Sequence, residues 1–205
     1  MSVSIVIATV RGREKELQEN LAALHASAGE DEFEIIVIRD HSSIGQAANI
    51  GAAAASGDYI ALIADDMIPH LGWVEAAKLA ADLGYYPAPR IDNPDGSVLA
   101  TGSMGGGWIL TDCADWAPVC SSQLPFMNRE AWADIGPSLE IGYYMDDYLS
   151  ARARAAGLIV AYREGYRFTH IEGTAGHAEL ASRWMTDRLQ FEQAMSQQAW
   201  AKVAA

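Results

Sequence analysis

Only two cysteines, Cys113 and Cys120, occur in 205 residues. Their spacing fits no usual zinc pattern, so reduced cytosolic thiols are expected rather than a disulfide framework. Basic residues are also scarce: 14 Lys and Arg stand against 27 Asp and Glu, for a formal charge of −13. That balance disfavours nucleic acid or an anionic membrane surface as a partner. No apolar run approaches the length of a membrane span, and Met1-Ser2-Val3-Ser4 leads straight into a strand-like segment. No signal peptide or anchor is therefore expected, and a cytoplasmic location follows. A glycine-rich phosphate loop after the first strand is missing as well. Thr9-Val10-Arg11-Gly12-Arg13 is too short and too poor in glycine for a nucleotidyltransferase. There is no internal repeat and no low-complexity linker, so one domain is the simplest organisation.

What is present is a regular alternation. Ser4–Thr9 and Phe33–Ile38 are apolar, β-branched runs that read as strands. Between them, Leu17, Leu21 and Leu24 recur at helical spacing over 14–26. The alanine-rich stretch 46–56 has high helix propensity. Gly57–Asp66 is an apolar run of strand length that ends in two adjacent carboxylates. Strand, helix, strand, helix, strand is the order of a parallel sheet with right-handed crossovers. Pro69 is expected to open the next helix, with Trp73, Ala76, Ala77, Ala80 and Leu83 on its apolar face. From 85 to 123 proline and glycine punctuate short segments, and Asp95-Gly96 reads as a hairpin turn. Helices are expected over 125–135, 145–156 and 179–201, and two short strands over 158–162 and 166–169. Trp184, Leu189, Phe191 and Trp200 are the expected packing residues of the last helix.

Asp65 and Asp66 end the central strand, where open α/β sheets bind ligands. Like charges this close raise each other's pKa unless a cation relieves them. Mg²⁺ or Mn²⁺ is the natural relief, and such ions commonly bridge to phosphates. A polar turn after a strand is the plainer alternative.

In this order the features resemble the family-2 glycosyltransferases of the GT-A fold. Ser4–Thr9 followed by Arg11 looks like the family's opening strand. Val37-Ile38-Arg39-Asp40-His41-Ser42 is similar to its Val-Asp-Asp-Gly-Ser segment. Asn49, Gly51, Gly57-Asp58-Tyr59-Ile60 and Ala64-Asp65-Asp66 resemble the stretch leading into its metal motif. Met145-Asp146-Asp147-Tyr148-Leu149, with Arg152 and Gly157, resembles its catalytic segment, and His170 follows near its late histidine. The likeness spans roughly residues 3 to 172. It departs at Ala8, where the family has Pro, at Arg39 and Ile63, where it has Asp, at Met145, where it has Glu, and at Gln46-Ala47-Ala48, where a basic residue is often found.

The resemblance implies an α/β fold of the GT-A, Rossmann-like kind. It comprises a mostly parallel sheet flanked by helices, a small irregular or antiparallel acceptor region and C-terminal helices. Residues 1–84 would form the nucleotide-sugar half, 85–177 the acceptor and catalytic half, and 178–205 a helical segment. The implied activity is transfer of a sugar, with inversion, from a UDP- or dTDP-sugar to a hydroxyl of a glycan, small molecule or other acceptor. Thr9, Arg11, Asp40, Asn49 and Asp65 are the expected donor-binding residues. A carboxylate at Asp40 suits the imide N–H of uracil or thymine. Asp66 and His170 are the expected ligands of Mn²⁺ or Mg²⁺. Asp146 is expected to be the general base. At roughly 100° per residue it lies on the side of Leu149 and Ala153, whereas Asp147 points toward water. Trp108, Trp116, Tyr143, Tyr144 and Asp147 are candidate acceptor contacts. The alternative is a nucleotide-sugar-binding module that has lost the chemistry.

Overall fold

The structure is a computed structural model that describes residues 1–27, 29, 32–39, 41–104, 107–108, 113–171 and 177–197, the side chains of 103–108 and 177–182 excepted. The chain begins with β1 (Val3–Ala8), α1 (Glu14–Ser27), β2 (Phe33–Ile38), α2 (Ile44–Ala54) and β3 (Tyr59–Ala64). β1 lies between β2 and β3 and runs parallel to both, with Ala8 level with Ile38 on one side and Ala64 on the other. All three strands therefore end at one edge. β9 (Phe126–Asn128) closes this sheet antiparallel to β3.

Before β9 the chain forms β4 (Met67–Pro69), α3 (Trp73–Asp82), β5 (Tyr85–Asp92), β6 (Val98–Ala100) and the small pair β7 (Ser103–Met104) and β8 (Gly107–Trp108). After β9 come α4 (Arg129–Ile135), α5 (Met145–Ala155), β10 (Ile159–His170) and α6 (His177–Gln197). A second sheet has the order β4-β10-β5-β6, with β10 parallel to β5 and antiparallel to β4. The Asp95-Gly96 turn joins β5 and β6 as an antiparallel pair, as its turn chemistry predicts.

Several elements differ from expectation. Pro69 ends β4 rather than opening a helix, because β4 finds a pairing partner in β10 that no local pattern reveals. The helix expected over 125–135 begins only at Arg129, since Phe126–Asn128 pair with β3 and Asn128 caps the helix by accepting from the Ala131 N–H at 2.7 Å. The two short strands expected over 158–169 are one strand, β10, interrupted in register between Arg163 and Arg167. Leu83, Trp184 and Leu189 are exposed rather than packed, and Trp200 lies outside the described residues.

Alternation along β1 and β3 divides the core in two. Ile5, Ile7, Ala61 and Ile63 face α1 and α3, where Leu17, Leu24 and Trp73 are fully buried with Phe126, Tyr166 and Phe168. Val6, Ile60 and Leu62 face α2 and α5, with Ala48, Ala52, Leu149 and Ala153. The small residues of α2 let it approach the sheet closely: a β-carbon built on Gly51 would lie 2.1 Å from Val6 Cγ1.

This contact gives a test of the packing. In an exposed helix Gly→Ala is worth up to about 1 kcal/mol of added stability. Here Gly51→Ala is expected to destabilise by about 1–3 kcal/mol through overpacking. The Gly51→Ala, Val6→Ala double variant should cost less than the sum of the singles in urea unfolding. Additive losses would show that the two residues do not touch.

Candidate functional site

Asp65 and Asp66 form the turn that carries the chain from β3 in the first sheet to β4 in the second. β10 pairs with β4 so that His170 stands opposite Met67, the residue after Asp66. The Ile171 N–H donates to the Asp66 carbonyl at 2.8 Å. The register thus delivers an imidazole to the carboxylate turn: His170 Nε2 lies 3.4 Å from Asp66 Oδ2.

The cation that relieves the pair is a residue of the chain itself. Arg13, at the start of α1, is 7% exposed. Its Nε donates to Asp65 Oδ2 at 3.0 Å, and its Nη2 lies 2.8 Å from Asp65 Oδ1 and 2.6 Å from Asp66 Oδ2. Thr9 Oγ1 donates to Asp65 Oδ2 at 2.6 Å. Burial raises the Asp65 pKa, and the Thr9 hydrogen bond and the Arg13 charge only partly offset it, so it sits above the ordinary range. Burial acts on Asp66 in the same sense, but the hydrogen bond and charge of His170, with those of Arg13, outweigh it and hold the carboxyl below that range.

The other expected site residues divide clearly. Thr9, Asp65, Asp66 and His170 come together at the edge where β1, β3 and β10 end. Arg11 is exposed, and Asp40 lies outside the described residues. The Asn49 amide is occupied by the backbone of Ser138, donating to its carbonyl at 3.0 Å and accepting from its N–H at 2.8 Å. Trp116 packs against Tyr85 at 4.9 Å and under Arg163 at 4.7 Å. Tyr85 pairs with Ile159, at the opposite end of β10 from His170. Only the strand containing Trp108 is described, not its side chain.

Asp146 and Asp147 both lie in the first turn of α5 and both are half-buried. Burial, and then the neighbouring Asp147 charge, push the Asp146 pKa up to about 7. The fully buried Tyr86 hydroxyl feels the Asp146 charge, and together with burial this raises its own pKa. Tyr144, with φ of 67°, sets the entry to α5 and stacks on Phe191 of α6 at 5.3 Å. The N–H groups of Gly142 and Tyr143 both donate to Asp187, at 2.9 and 3.0 Å. Asp187 is 1% exposed.

Three residues at these sites carry no sequence expectation: Arg13, Asp187 and Tyr86. Arg13 had a weak signal, a basic residue after Gly12 and four positions before the first buried leucine of α1. Asp187 had none, since a single acid in a charged helix reads as a solvated face.

The architecture is a GT-A fold, a mostly parallel sheet flanked by helices. Among solved structures it is similar to GalNAc-T7 crystallised with UDP, GalNAc and Mn²⁺, with a TM-score of 0.66 at 16% identity over 85% of this chain. It is also similar to S. aureus TarS, with a TM-score of 0.60 at 13% identity over 94% of the chain. The chain spans 44% and 41% of the lengths of those two proteins. No protein-family model matches it, and no curated protein matches it.

The raised Asp146 pKa has a definite sign. A carboxyl that holds its proton more tightly when folded contributes stability below its unfolded pKa, and loses it as pH rises to the folded value. Asp146→Asn, which removes this titration, should therefore gain melting temperature relative to the parent as pH rises from about 4 to about 7, with no further gain above. Thermal melts at four pH values test this, and a difference independent of pH would place the Asp146 carboxyl in water.

Proposed function

We propose that the chain is a glycosyltransferase acting on a UDP- or dTDP-sugar, with transfer to an acceptor hydroxyl and inversion at the anomeric carbon. One observation carries the reading: the Asp66–His170 pair stands at the carboxyl edge of a GT-A sheet. The likeness to a protein crystallised with UDP and Mn²⁺ supports it.

The donor set of Asp66 and His170 fits Mn²⁺ or Mg²⁺. A carboxylate oxygen and an imidazole nitrogen converge there, and both side chains retain some exposure, 10% and 18%. Asp65 does not fit as a ligand, because Arg13 and Thr9 occupy its oxygens. When bound, the ion neutralises charge on the departing diphosphate. Arg13 favours the ionised form of both aspartates, and Thr9 donates to Asp65. Asp40 is the proposed acceptor for the base's imide N–H.

In the transfer step the acceptor oxygen forms a bond to the anomeric carbon as the bond to the diphosphate breaks. The acceptor's proton passes to an Asp146 carboxylate oxygen. A pKa near 7 leaves much of Asp146 ionised at neutral pH while keeping it a competent base. Asp187 and Tyr144 hold the turn from which Asp146 projects.

Transfer is to be measured with a panel of uridine and thymidine diphosphate sugars and candidate acceptors, alongside titration of the free diphosphates. Uridine or thymidine diphosphate should bind more tightly than cytidine diphosphate. Asp146→Asn should keep that binding and lose on the order of 10²–10⁴-fold in kcat. Asp147→Asn should change the rate little, and the parent rate should rise with pH through about 7. Diphosphate binding with no transfer by any donor would favour the non-catalytic module, and a dead Asp147→Asn would move the base by one residue.

A further inference from the structure

We propose that Arg13 is a built-in competitor of the divalent cation, holding the Asp66 oxygen that the cation needs until the cation displaces it. The proposal rests on the assignment of Asp66 and His170 as cation ligands, but not on sugar transfer.

The geometry separates two duties of one guanidinium. Asp65 anchors it through both oxygens, with Nε at 3.0 Å from Oδ2 and Nη2 at 2.8 Å from Oδ1. The contact to Asp66 runs from the same Nη2, to Oδ2 at 2.6 Å. That same Oδ2 is the atom 3.4 Å from His170 Nε2. The oxygen facing the imidazole is therefore already shared with a positive charge. Arg cannot shed its proton to relieve the conflict. A metal ion arriving at Asp66 Oδ2 meets a fixed cation only one hydrogen bond away, and their repulsion is weakly screened because Arg13, Asp65 and Asp66 are all at least nine-tenths buried.

The Asp65 anchor makes displacement local. Nη2 can leave Asp66 while the Nε–H bond to Asp65 Oδ2 stays in place, so Arg13 pivots about that bond without leaving the site. The donor group released from Asp66 then suits an anionic oxygen, such as one on a nucleoside diphosphate. Two consequences follow. The cation alone binds weakly, and a diphosphate that engages the released guanidinium strengthens the cation's binding. Asp65, directly after the end of β3, acts as the positioning residue for Arg13 rather than as a cation ligand.

The test measures Mn²⁺ alone, by water-proton relaxation, with no nucleotide or sugar present. Arg13→Gln should bind Mn²⁺ on the order of ten-fold more tightly than the parent, or better, and Arg13→Gln, Asp66→Asn should lose the gain. Arg13→Lys, whose ammonium cannot make all three contacts, should fall between. Equal or weaker Mn²⁺ binding by folded Arg13→Gln overturns the proposal and makes Arg13 a support for the cation. Mn²⁺ bound by neither protein overturns it together with the ligand assignment. Should Arg13→Gln fail to fold, the parent decides the matter in a diamagnetic Mg²⁺ titration followed by the Arg13 Nε–H resonance. That signal should move as Mg²⁺ saturates, and an unmoved signal at saturation overturns the proposal. Failure to find any sugar donor would leave each of these outcomes readable.

Discussion

Two adjacent carboxylates, nearly removed from water, must be compensated, and here the Arg13 guanidinium, the Thr9 hydroxyl and His170 share the task. Arg13 ties the start of α1 to the turn between β3 and β4, and through Asp66 to His170 at the end of β10. Three segments far apart in sequence are thereby locked at one edge of the molecule. Removing one partner of a buried ion pair typically costs about 3–5 kcal/mol, because the other charge is left uncompensated. The edge is held firmly by these charges. The turn's position follows from topology: β3 belongs to one sheet and β4 to the other, so Asp65 and Asp66 stand where the two sheets meet.

The second acidic turn is held differently. Among the described residues no guanidinium pairs with Asp146, and burial beside the Asp147 charge favours its proton. The backbone leading to it is secured by Asp187, which accepts two N–H groups from 142 and 143, and by the stack of Tyr144 on Phe191. Both anchors come from α6. The same helix reaches the loop after β2, where Arg183 Nη1 donates to the Ser42 carbonyl at 2.6 Å. α6 thus spans the loop after β2 and the turn before α5. The pKa directions at Asp66 and Asp146 are opposite, lowered at the first and raised at the second.

The likeness to solved proteins covers most of this chain but less than half of GalNAc-T7 and of full-length TarS. What is common to them is the fold. Among the described residues no helix is long and apolar enough to cross a membrane, and no three His, Cys, Asp or Glu side chains are arranged to hold a metal ion. A cation at Asp66 and His170 would therefore need oxygens from its substrate to complete its coordination.

The alternation of β1, α1, β2, α2 and β3 was legible in the sequence because each element buries one face, and burial writes a local period. The carboxylates at the end of β3 were legible for the same reason: an apolar run that stops at two charges marks a strand's end. The Asp95-Gly96 hairpin needed only turn chemistry. Long-range pairing decided the rest. β4 and β9 are three-residue strands whose identity lies in their partners, so their own residues read as helix starts. Asn49 carries a polar amide that suits a ligand, yet the Ser138 backbone claims it from 89 residues away. Arg11 and Arg13 are two residues apart and similar in kind. Only the packing of α1 against the sheet buries Arg13 and leaves Arg11 in water. The sequence by itself determined the sheet, its order of helices and the acids at its edge, since these follow from local periodicity. The tertiary structure alone decided which charge answers those acids, because a counter-ion is selected by proximity in space, and no spacing along the chain encodes it.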